Sequence, residues 1–327
     1  MFIVNTIILF EIIILTHELG HFLAAKFFKV NVREFAIGFG PTILKWGKGL
    51  TKYSLRLFPI GGYVAFKDEE KFSKVPILKR MIIILAGPLV NIFSAMFAIF
   101  AILLIQGKYN SLEVESVKSY CTQIKPNDEI IKVNNHKLLG ANDFLFELSK
   151  IPPNEKVNLT VLRNKEKIEI EDVGQEVKTQ EGLKKSIGLN LRVKKLNFLT
   201  AITKTFENFL FVLKLIFSSI FNMFTGKASL KDVSGPVGLF KTVGEAEKKG
   251  ICAVIFLFAL LCVNIGIFNL LPFFALDGGQ FLFLVYELIF KRPISKKMQN
   301  IFNAIGFTVL ILMLVIVTFK DVFLILK

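Results

Sequence analysis

Long apolar segments constrain this chain more than any other feature. Crossing about 30 Å of hydrocarbon takes roughly 20 apolar residues of helix. Four stretches meet that requirement: 2–28, 81–105, 251–276 and 301–319. The composition agrees, because 53% of the residues are hydrophobic and the mean hydropathy is +0.57. The sequence therefore predicts a polytopic α-helical membrane protein with four transmembrane helices.

A fifth apolar stretch, 198–224, is interrupted by Lys204, Glu207 and Lys214. Such charges are typical of an amphipathic helix that lies at the membrane surface or packs on other parts of the protein. We therefore predict that this stretch does not cross the membrane. Residues 197–250 are assigned to this interfacial helix and a connector.

Two basic loops set the expected orientation. Residues 26–80 contain 12 Lys or Arg against 4 Asp or Glu, and the short connection 291–297 is also basic. Positive loops face the cytoplasm, so both termini and residues 107–196 are expected on the outer side. We assign the net charge of +15 to topology and to contact with the lipid bilayer, and expect no nucleic-acid partner.

The loops also differ in their strand patterns. Residues 107–196 are polar, with alternating runs such as "KVNLTVLRN" and "KIEIEDV", which predict a small α/β domain. By contrast "IGFGP" (37–41) and "PIGGYVAF" (59–66) are apolar and glycine-rich, so part of the basic loop is expected to dip into the membrane. The expected domains are 1–106 and 251–327 as membrane cores, with 107–196 and 197–250 between them.

The motif "HELGH" lies at the end of the first apolar segment. On a helix, His17 and His21 are one turn apart and share a face, so both can bind one metal ion. Glu18 is offset by about 100°, which places it beside the metal, where a general base for a water belongs. The alternative is that these polar groups only pair with one another or with neighbouring helices.

A catalytic zinc takes three protein ligands and leaves one position for water. The second and fourth apolar segments offer no ligand, and Glu11 lies roughly 9 Å along the helix from His17. Asp277 remains, at a helix break preceded by Pro272 and followed by two glycines. If 198–224 does not cross the membrane, 251–276 runs inward from the outer side. Asp277 then reaches the cytoplasmic side, where the histidines are also expected. A simple turn aspartate is the alternative.

The chain resembles the bacterial site-2 proteases, which are intramembrane zinc metalloproteases of the regulator-of-sigma-E type in peptidase family M50. Motifs in the family's order carry the resemblance: "HELGH" at 17–21, "REFAIGFGP" at 33–41, "PIGGYV" at 59–64, "AGPLVN" at 86–91, "SGPVG" at 234–238 and "NLLPFFALDGG" at 269–279. The resemblance implies Zn²⁺ bound by His17, His21 and Asp277, with Glu18 activating the water.

The resemblance also implies how a substrate is held. Asn269 would hold the substrate backbone, while Gly38 and Gly40 would belong to a membrane-dipping β-loop that pairs with an unwound substrate strand. Expected substrates are single-pass membrane proteins, such as anti-sigma factors, or remnant signal peptides, cut in regulated intramembrane proteolysis. The expected location is the bacterial cytoplasmic membrane, with the active site near the cytoplasmic side.

In the outer region, "KPNDEIIKVN" resembles part of a circularly permuted PDZ domain. The preceding "VKSYCTQI" lacks the small residues that the family carries there, so we favour substrate filtering over binding of peptide ends. Glu11 also departs from the family, which usually has an apolar or small residue there. One hypothesis is that Glu11 hydrates a path toward the site; the alternative is a tolerated acid that faces a polar partner.

Two other classes of function compete with proteolysis. A membrane adaptor would use the PDZ-like domain for binding and keep a structural zinc, but structural zinc is closed by four protein ligands and only three are found. A metal transporter would need polar residues along its spans, and the second and fourth apolar segments lack ionisable groups.

Overall fold

The structure is a computed structural model that describes residues 2–47, 49–66, 72–118, 123–152, 155–171, 175–179, 182–226 and 235–325. Its helices are α1 (Phe2–Phe27), α2 (Ile77–Gln106), α3 (Ala141–Ser149), α4 (Phe198–Phe224), α5 (Pro236–Lys249), α6 (Ile251–Leu270), α7 (Asp277–Phe290) and α8 (Lys296–Ile325). Its strands are β1 (Val32–Trp46), β2 (Lys52–Phe66), β3 (Lys108–Val117), β4 (Glu129–Val133), β5 (His136–Lys137), β6 (Leu159–Arg163), β7 (Glu166–Ile170), β8 (Gln175–Thr179), β9 (Gly182–Ser186) and β10 (Leu189–Lys195). The chain forms two compact units, Met1–Ala98 with Ser218–Lys327, and Ile99–Phe217.

Five helices in the described part of the chain are long and apolar enough to cross a membrane: α1, α2, α4, α6 and α8. The protein is therefore a polytopic membrane protein, as the hydropathy predicted. The four predicted spans and the interrupted stretch all form helices. By length and composition alone, α4 qualifies together with the other four.

The third apolar segment, 251–276, forms a helix over only part of its length, and the break predicted around Pro272 is present. Helix α6 ends at Leu270, and Leu271 already has extended backbone angles, φ −61° and ψ 144°. Pro272 follows and lacks the N–H that a continuing helix would need. The residues up to Leu276 form a turn, in which the Leu276 N–H donates to the Phe273 carbonyl at 3.1 Å. The apolar segment extends beyond the helix because hydropathy records only apolar character, and the residues of the turn are apolar too.

Strands β1 and β2 form a folded sheet beside α1. Ala36 of β1 pairs with both Tyr63 and Ser54 of β2, so a single stretch of β1 has partners on both of its edges. A small buried cluster joins α1, β1 and α2, and it consists of Ala25, Val32 and Ile83. Farther along the sheet large apolar side chains are exposed: Phe39, Ile43, Leu44, Trp46 and Phe58. This arrangement gives the sheet one part packed on helices and one apolar part that is left uncovered.

The unit Ile99–Phe217 is built on an antiparallel sheet with strand order β10-β3-β4-β6-β7, while β5 pairs with β4. Side chains of the strands form its core, which includes Val114, Ile130, Val133, Leu159 and Val161. Helix α3 adds Phe144, which is 2% exposed. The unit thus has the hydrophobic core of a small domain.

Asp128, in the "KPNDEI" turn of this unit, is buried and fully engaged. Its Oδ2 accepts the Lys125 N–H at 2.8 Å, and both oxygens accept hydrogen bonds from the Arg163 guanidinium at 2.7 and 2.8 Å. Burial raises the pKa of Asp128, but the hydrogen bonds from Arg163 and Lys125 outweigh it and hold the pKa below its usual 3.8. The residue therefore fastens the turn to β6.

Replacing Asp128 with Asn is expected to destabilise the protein by about 1–3 kcal/mol at pH 7, because Arg163 loses its charged acceptor. A carboxyl whose folded-state pKa is lowered stabilises the fold above its unfolded pKa, and that contribution disappears as the pH falls through the folded value. The difference from wild type should therefore shrink below about pH 4. Thermal melting of the full chain in detergent, followed by circular dichroism, measures it. The control is the exposed neighbour Glu129 replaced by Gln; an equal effect at both positions would contradict the assignment.

The charged residues of α4 are paired with polar groups of the same unit. Lys214 Nζ lies 2.7 Å from Asp143 Oδ1 and 2.7 Å from Glu147 Oε1, both on α3. Asp143 is fully buried, so its charge is compensated chiefly by this lysine. Nearer the start of α4, Lys204 pairs with Glu207 at 2.6 Å. Lys214 therefore docks α4 on α3, while Lys204 and Glu207 pair with each other within α4.

Candidate metal centre

Helix α1 presents two histidines on one face. It is continuous from Phe2 to Phe27, so His17 and His21 are separated by one helical turn. Their ring centroids are 4.8 Å apart and their Nε2 atoms are 3.2 Å apart. His17 is 8% exposed, and the side chain of His21 is 13% exposed. The pair can therefore direct two nitrogen ligands at one point inside the protein.

Asp277 joins the histidines from a distant part of the chain. It is the first residue of α7, placed there by the turn that follows α6. Its Oδ2 lies 3.0 Å from His17 Nε2 and 3.4 Å from His21 Nε2. The three ligand atoms lie within 4.8 Å of one another. The break predicted around Pro272 thus brings the carboxylate back to α1.

The donor set fits a zinc ion. Two imidazole nitrogens and one carboxylate oxygen are a known ligand combination for catalytic zinc, and they leave a position for water. Asp277 Oδ2 and His17 Nδ1 are buried, and neither has a hydrogen-bond partner among the residues that the structure describes. Burying a carboxylate oxygen without a hydrogen bond is costly. A cation shared by this carboxylate and the two imidazoles would remove that cost.

Glu18 lies next to the pair and faces the sheet. The carboxylate lies within reach of the backbone N–H of Val64 in β2. Gly62 is also close, because a Cβ added there would lie 3.6 Å from Glu18 Cγ. The carboxylate is therefore held between the histidine pair on α1 and the edge of β2. This is a location from which it can exchange a proton with a water beside the histidines.

A comparison with known families assigns the chain. The model of peptidase family M50 matches residues 5–313, almost the whole length. The chain belongs to this family. A protein of Fusobacterium nucleatum, provisionally named a zinc metalloprotease, is 32% identical over 331 residues that cover 97% of each chain. A similarly named protein of Clostridium acetobutylicum is 32% identical over 335 residues, covering 98% of this chain and 97% of its own. The zinc metalloprotease RasP of Shouchella clausii is 26% identical over 411 residues, covering 97% of each.

The resemblance to family M50 is therefore confirmed. This M50 peptidase is a zinc metalloendopeptidase, and its cofactor is zinc.

Helix α2 of the M50 peptidase supports His21. The His21 Nδ1 lies 2.8 Å from the Ile83 carbonyl and can only donate there, which leaves the Nε2 lone pair free for a metal. The helices approach so closely that a Cβ added at Gly20 would lie 2.4 Å from the Ala86 carbonyl oxygen. A Cβ added at Gly87 would lie 2.3 Å from His21 Nε2 itself. Sequence reasoning missed these supports, although "AGPLVN" carried a Gly-Pro pair inside an apolar helix.

Helix α2 also holds the helix that carries Asp277. Arg80, which is 6% exposed, donates to both carboxylate oxygens of Glu287 on α7, at 3.1 and 2.5 Å. Its Nε donates to the Val75 carbonyl at 3.0 Å. A bidentate pair of this kind restrains both distance and orientation. One helix therefore braces both elements that bring ligands to the candidate metal centre.

The other predicted site residues lie outside the ligand cluster. Asn269 is half-buried at the end of α6. Gly38 and Gly40 lie in β1 with φ of 82° and 88°. The Gly40 carbonyl accepts a hydrogen bond from Arg56 at 2.8 Å. The substrate contacts of all three residues stay predictions.

Proposed function

We propose that this protein is an intramembrane protease of the site-2 type, with His17, His21 and Asp277 as zinc ligands and Glu18 as the general base. The observation that carries the proposal is the position of the three-ligand cluster. Two of its members lie on α1, a helix long and apolar enough to cross a membrane. Intramembrane ionisable groups are costly and are usually functional, so a hydrolytic site is the economical explanation for all of them.

The chemistry follows from the donors and the base. A bound zinc ion supplies Lewis-acid polarisation of the scissile carbonyl and makes a water more acidic. Glu18 accepts the proton of the attacking water and returns it to the nitrogen of the leaving amine. A transmembrane helix hides its peptide bonds in internal hydrogen bonds, so the substrate must unwind first. In this proposal the sheet edge near Gly38 and Gly40 offers replacement partners, and Asn269 holds the substrate backbone.

Four membrane spans are proposed, namely α1, α2, α6 and α8. The paired charges of α4 support this count. From Lys214 to the end of α4 only about 15 Å of helix remains, half of the hydrocarbon thickness. With α4 at the interface, α6 runs inward and delivers Asp277 to the cytoplasmic side. The termini and residues 107–196 then lie outside the bacterial cytoplasmic membrane, as the basic loops favour.

The domain limits 1–106, 107–196, 197–250 and 251–327 follow from the same arrangement, with 107–196 as one PDZ-like domain. We assign it to filtering of substrates. Two contacts support this role over capture of peptide ends: Phe146 packs on Phe211 of α4, and Asn142 bonds to Asn208 at 2.8 Å. One face of α3 is thereby covered. Part of "VKSYCTQI", at 119–122, lies outside the described residues.

The proposed substrates are single-pass membrane proteins already shortened on their outer side, such as anti-sigma factors, or remnant signal peptides. Regulated intramembrane proteolysis is the matching process. A protein of either type presents one apolar helix to the site, which is what a protease inside the bilayer can unwind and cut.

Metal removal tests the proposed function. Wild-type protein in detergent should cleave a synthetic single-span peptide, lose that activity to background after chelation, and recover it with one equivalent of zinc. Metal analysis before and after each step gives the zinc content per chain, and a magnesium addition serves as the control. Stoichiometric zinc without any cleavage by wild-type protein would favour the adaptor instead. Cleavage that persists in the metal-free protein would contradict the zinc mechanism.

A further inference from the structure

Glu11 makes a contact that the proposed mechanism does not use. It lies on α1, seven residues before Glu18 and nearly on the same face. Its Oε2 accepts the backbone N–H of Gly61 at 2.9 Å. Its Oε1 is buried and has no hydrogen-bond partner among the described residues. A carboxylate in an apolar helix is thus committed to one backbone group of β2.

That backbone group lies in β2 but has no opposite residue in the pairing with β1. The pairing of β2 with β1 includes Phe58 and resumes at Gly62, and it contains no partner for Gly61. Gly61 has φ of 102°, a conformation that a residue with a side chain rarely adopts. Its N–H therefore leaves the ladder and would stay unsatisfied in an apolar setting without the Glu11 carboxylate.

Two carboxylates of α1 hold one strand. Glu11 accepts the N–H of Gly61, and the Glu18 carboxylate lies within reach of the Val64 N–H. The seven-residue step along the helix is about 10.5 Å. The three-residue step along the strand is about 10 Å. Because the two steps match, the stretch 61–64 can follow α1 with both contacts made at once.

We propose that Glu11 is a positioning residue that fixes where the stretch 61–64 lies along the axis of α1. Glu11 thereby also fixes the register in which a substrate strand meets Glu18. The inference rests on the proposed proteolytic function. A sheet edge that can slide along α1 would present neighbouring peptide bonds to the same base. A sheet edge that is anchored at Gly61 selects one bond.

The test compares two replacements of Glu11 in the full-length protein. Glu11→Gln keeps an oxygen that can accept the Gly61 N–H but removes the charge, whereas Glu11→Ala removes the acceptor. Ile12→Ala is the control, since Ile12 is 47% exposed on the same helix. Each variant is examined for zinc content, for hydrogen–deuterium exchange of the Gly61 amide, for kcat and KM, and for the cleaved bonds by mass spectrometry.

The expected result separates register from folding. Glu11→Ala should keep its zinc, exchange the Gly61 amide faster, and cut a single-span peptide at additional neighbouring bonds. Its kcat should fall roughly tenfold to a hundredfold, as for a misplaced reacting group. Glu11→Gln and Ile12→Ala should cut at the wild-type bond. A role in stability alone would not move the cleaved bond.

Three outcomes would overturn the inference. One is an unchanged cleavage pattern and exchange in Glu11→Ala. Another is a Glu11→Gln variant whose kcat is as low as that of Glu11→Ala while its Gly61 amide still exchanges slowly. That result would assign Glu11 to proton transfer. If wild-type protein leaves the peptide intact, the proposed function fails, and hydrogen–deuterium exchange of the Gly61 amide alone tests the Glu11 contact. Faster exchange in Glu11→Ala than in Glu11→Gln would support the contact. Equal exchange in the two variants would overturn the inference.

Discussion

Glu18→Gln is expected to reduce peptide hydrolysis by about 10²–10⁴-fold while the protein keeps its zinc. Glutamine has nearly the same shape, but it cannot take a proton from the attacking water. His17, His21 and Asp277 are untouched, so the ligand set remains complete. The measurement is the initial rate of cleavage of a single-span peptide in detergent, together with zinc per chain.

The matched control for Glu18→Gln is Glu129→Gln, which makes the same chemical change at an exposed position of β4. It should retain cleavage at the wild-type bond. Cleavage by Glu18→Gln within threefold of wild type would remove Glu18 from the role of base. Loss of zinc in Glu18→Gln would instead show that this carboxylate supports the ligands, so the two measurements are needed together.

Gly87→Ala is expected to lower the zinc affinity by about 10–100-fold, the usual effect of disturbing a group that orients a metal ligand. The added Cβ would lie 2.3 Å from His21 Nε2, nearer than two nonbonded atoms can approach. The imidazole must therefore move, and its hydrogen bond to the Ile83 carbonyl is strained as it does so. Zinc per chain, measured against a competing chelator of known affinity, reports the change.

Gly49→Ala is the control for Gly87→Ala, because a Cβ at Gly49 would meet nothing within 4 Å. Alanine also has a higher helix propensity than glycine, so Gly87→Ala should not weaken α2 itself. Circular dichroism should thus show unchanged helix content. If Gly87→Ala binds zinc as tightly as wild type, α1 and α2 can move apart to accommodate the added Cβ without weakening zinc binding. His21→Ala provides the reference for complete loss of one ligand.

Much of the fold could be predicted because it depends on local patterns. Runs of apolar residues with few charges predicted helices at α1, α2, α6 and α8, and interrupting charges marked α4 as different. Alternating runs predicted β6 and β7. The third segment shows the limit of this method. Its apolar run continues to residue 276, but the helix ends at Leu270, because Pro272 and the turn matter more there than hydropathy.

The candidate site could be predicted in part. The spacing of His17 and His21 is a property of a single helix and needs no tertiary information. Asp277 could be inferred because the other spans offer few ligands. The supports could not be inferred in the same way. Arg80 and Glu287 are separated by 207 residues, and no pattern along the chain links them.

The sequence by itself predicted the membrane class, the histidine pair with its neighbouring carboxylate, and Asp277 as the third ligand. Each of these depends on residue type and on spacing within one segment. Only the tertiary structure decided that α2 braces both ligand-bearing elements and that Glu11 binds the Gly61 N–H. These contacts use backbone carbonyls, N–H groups and the missing side chain of Gly87. Such groups are chemically alike at every position, so only their placement in space gives them a partner.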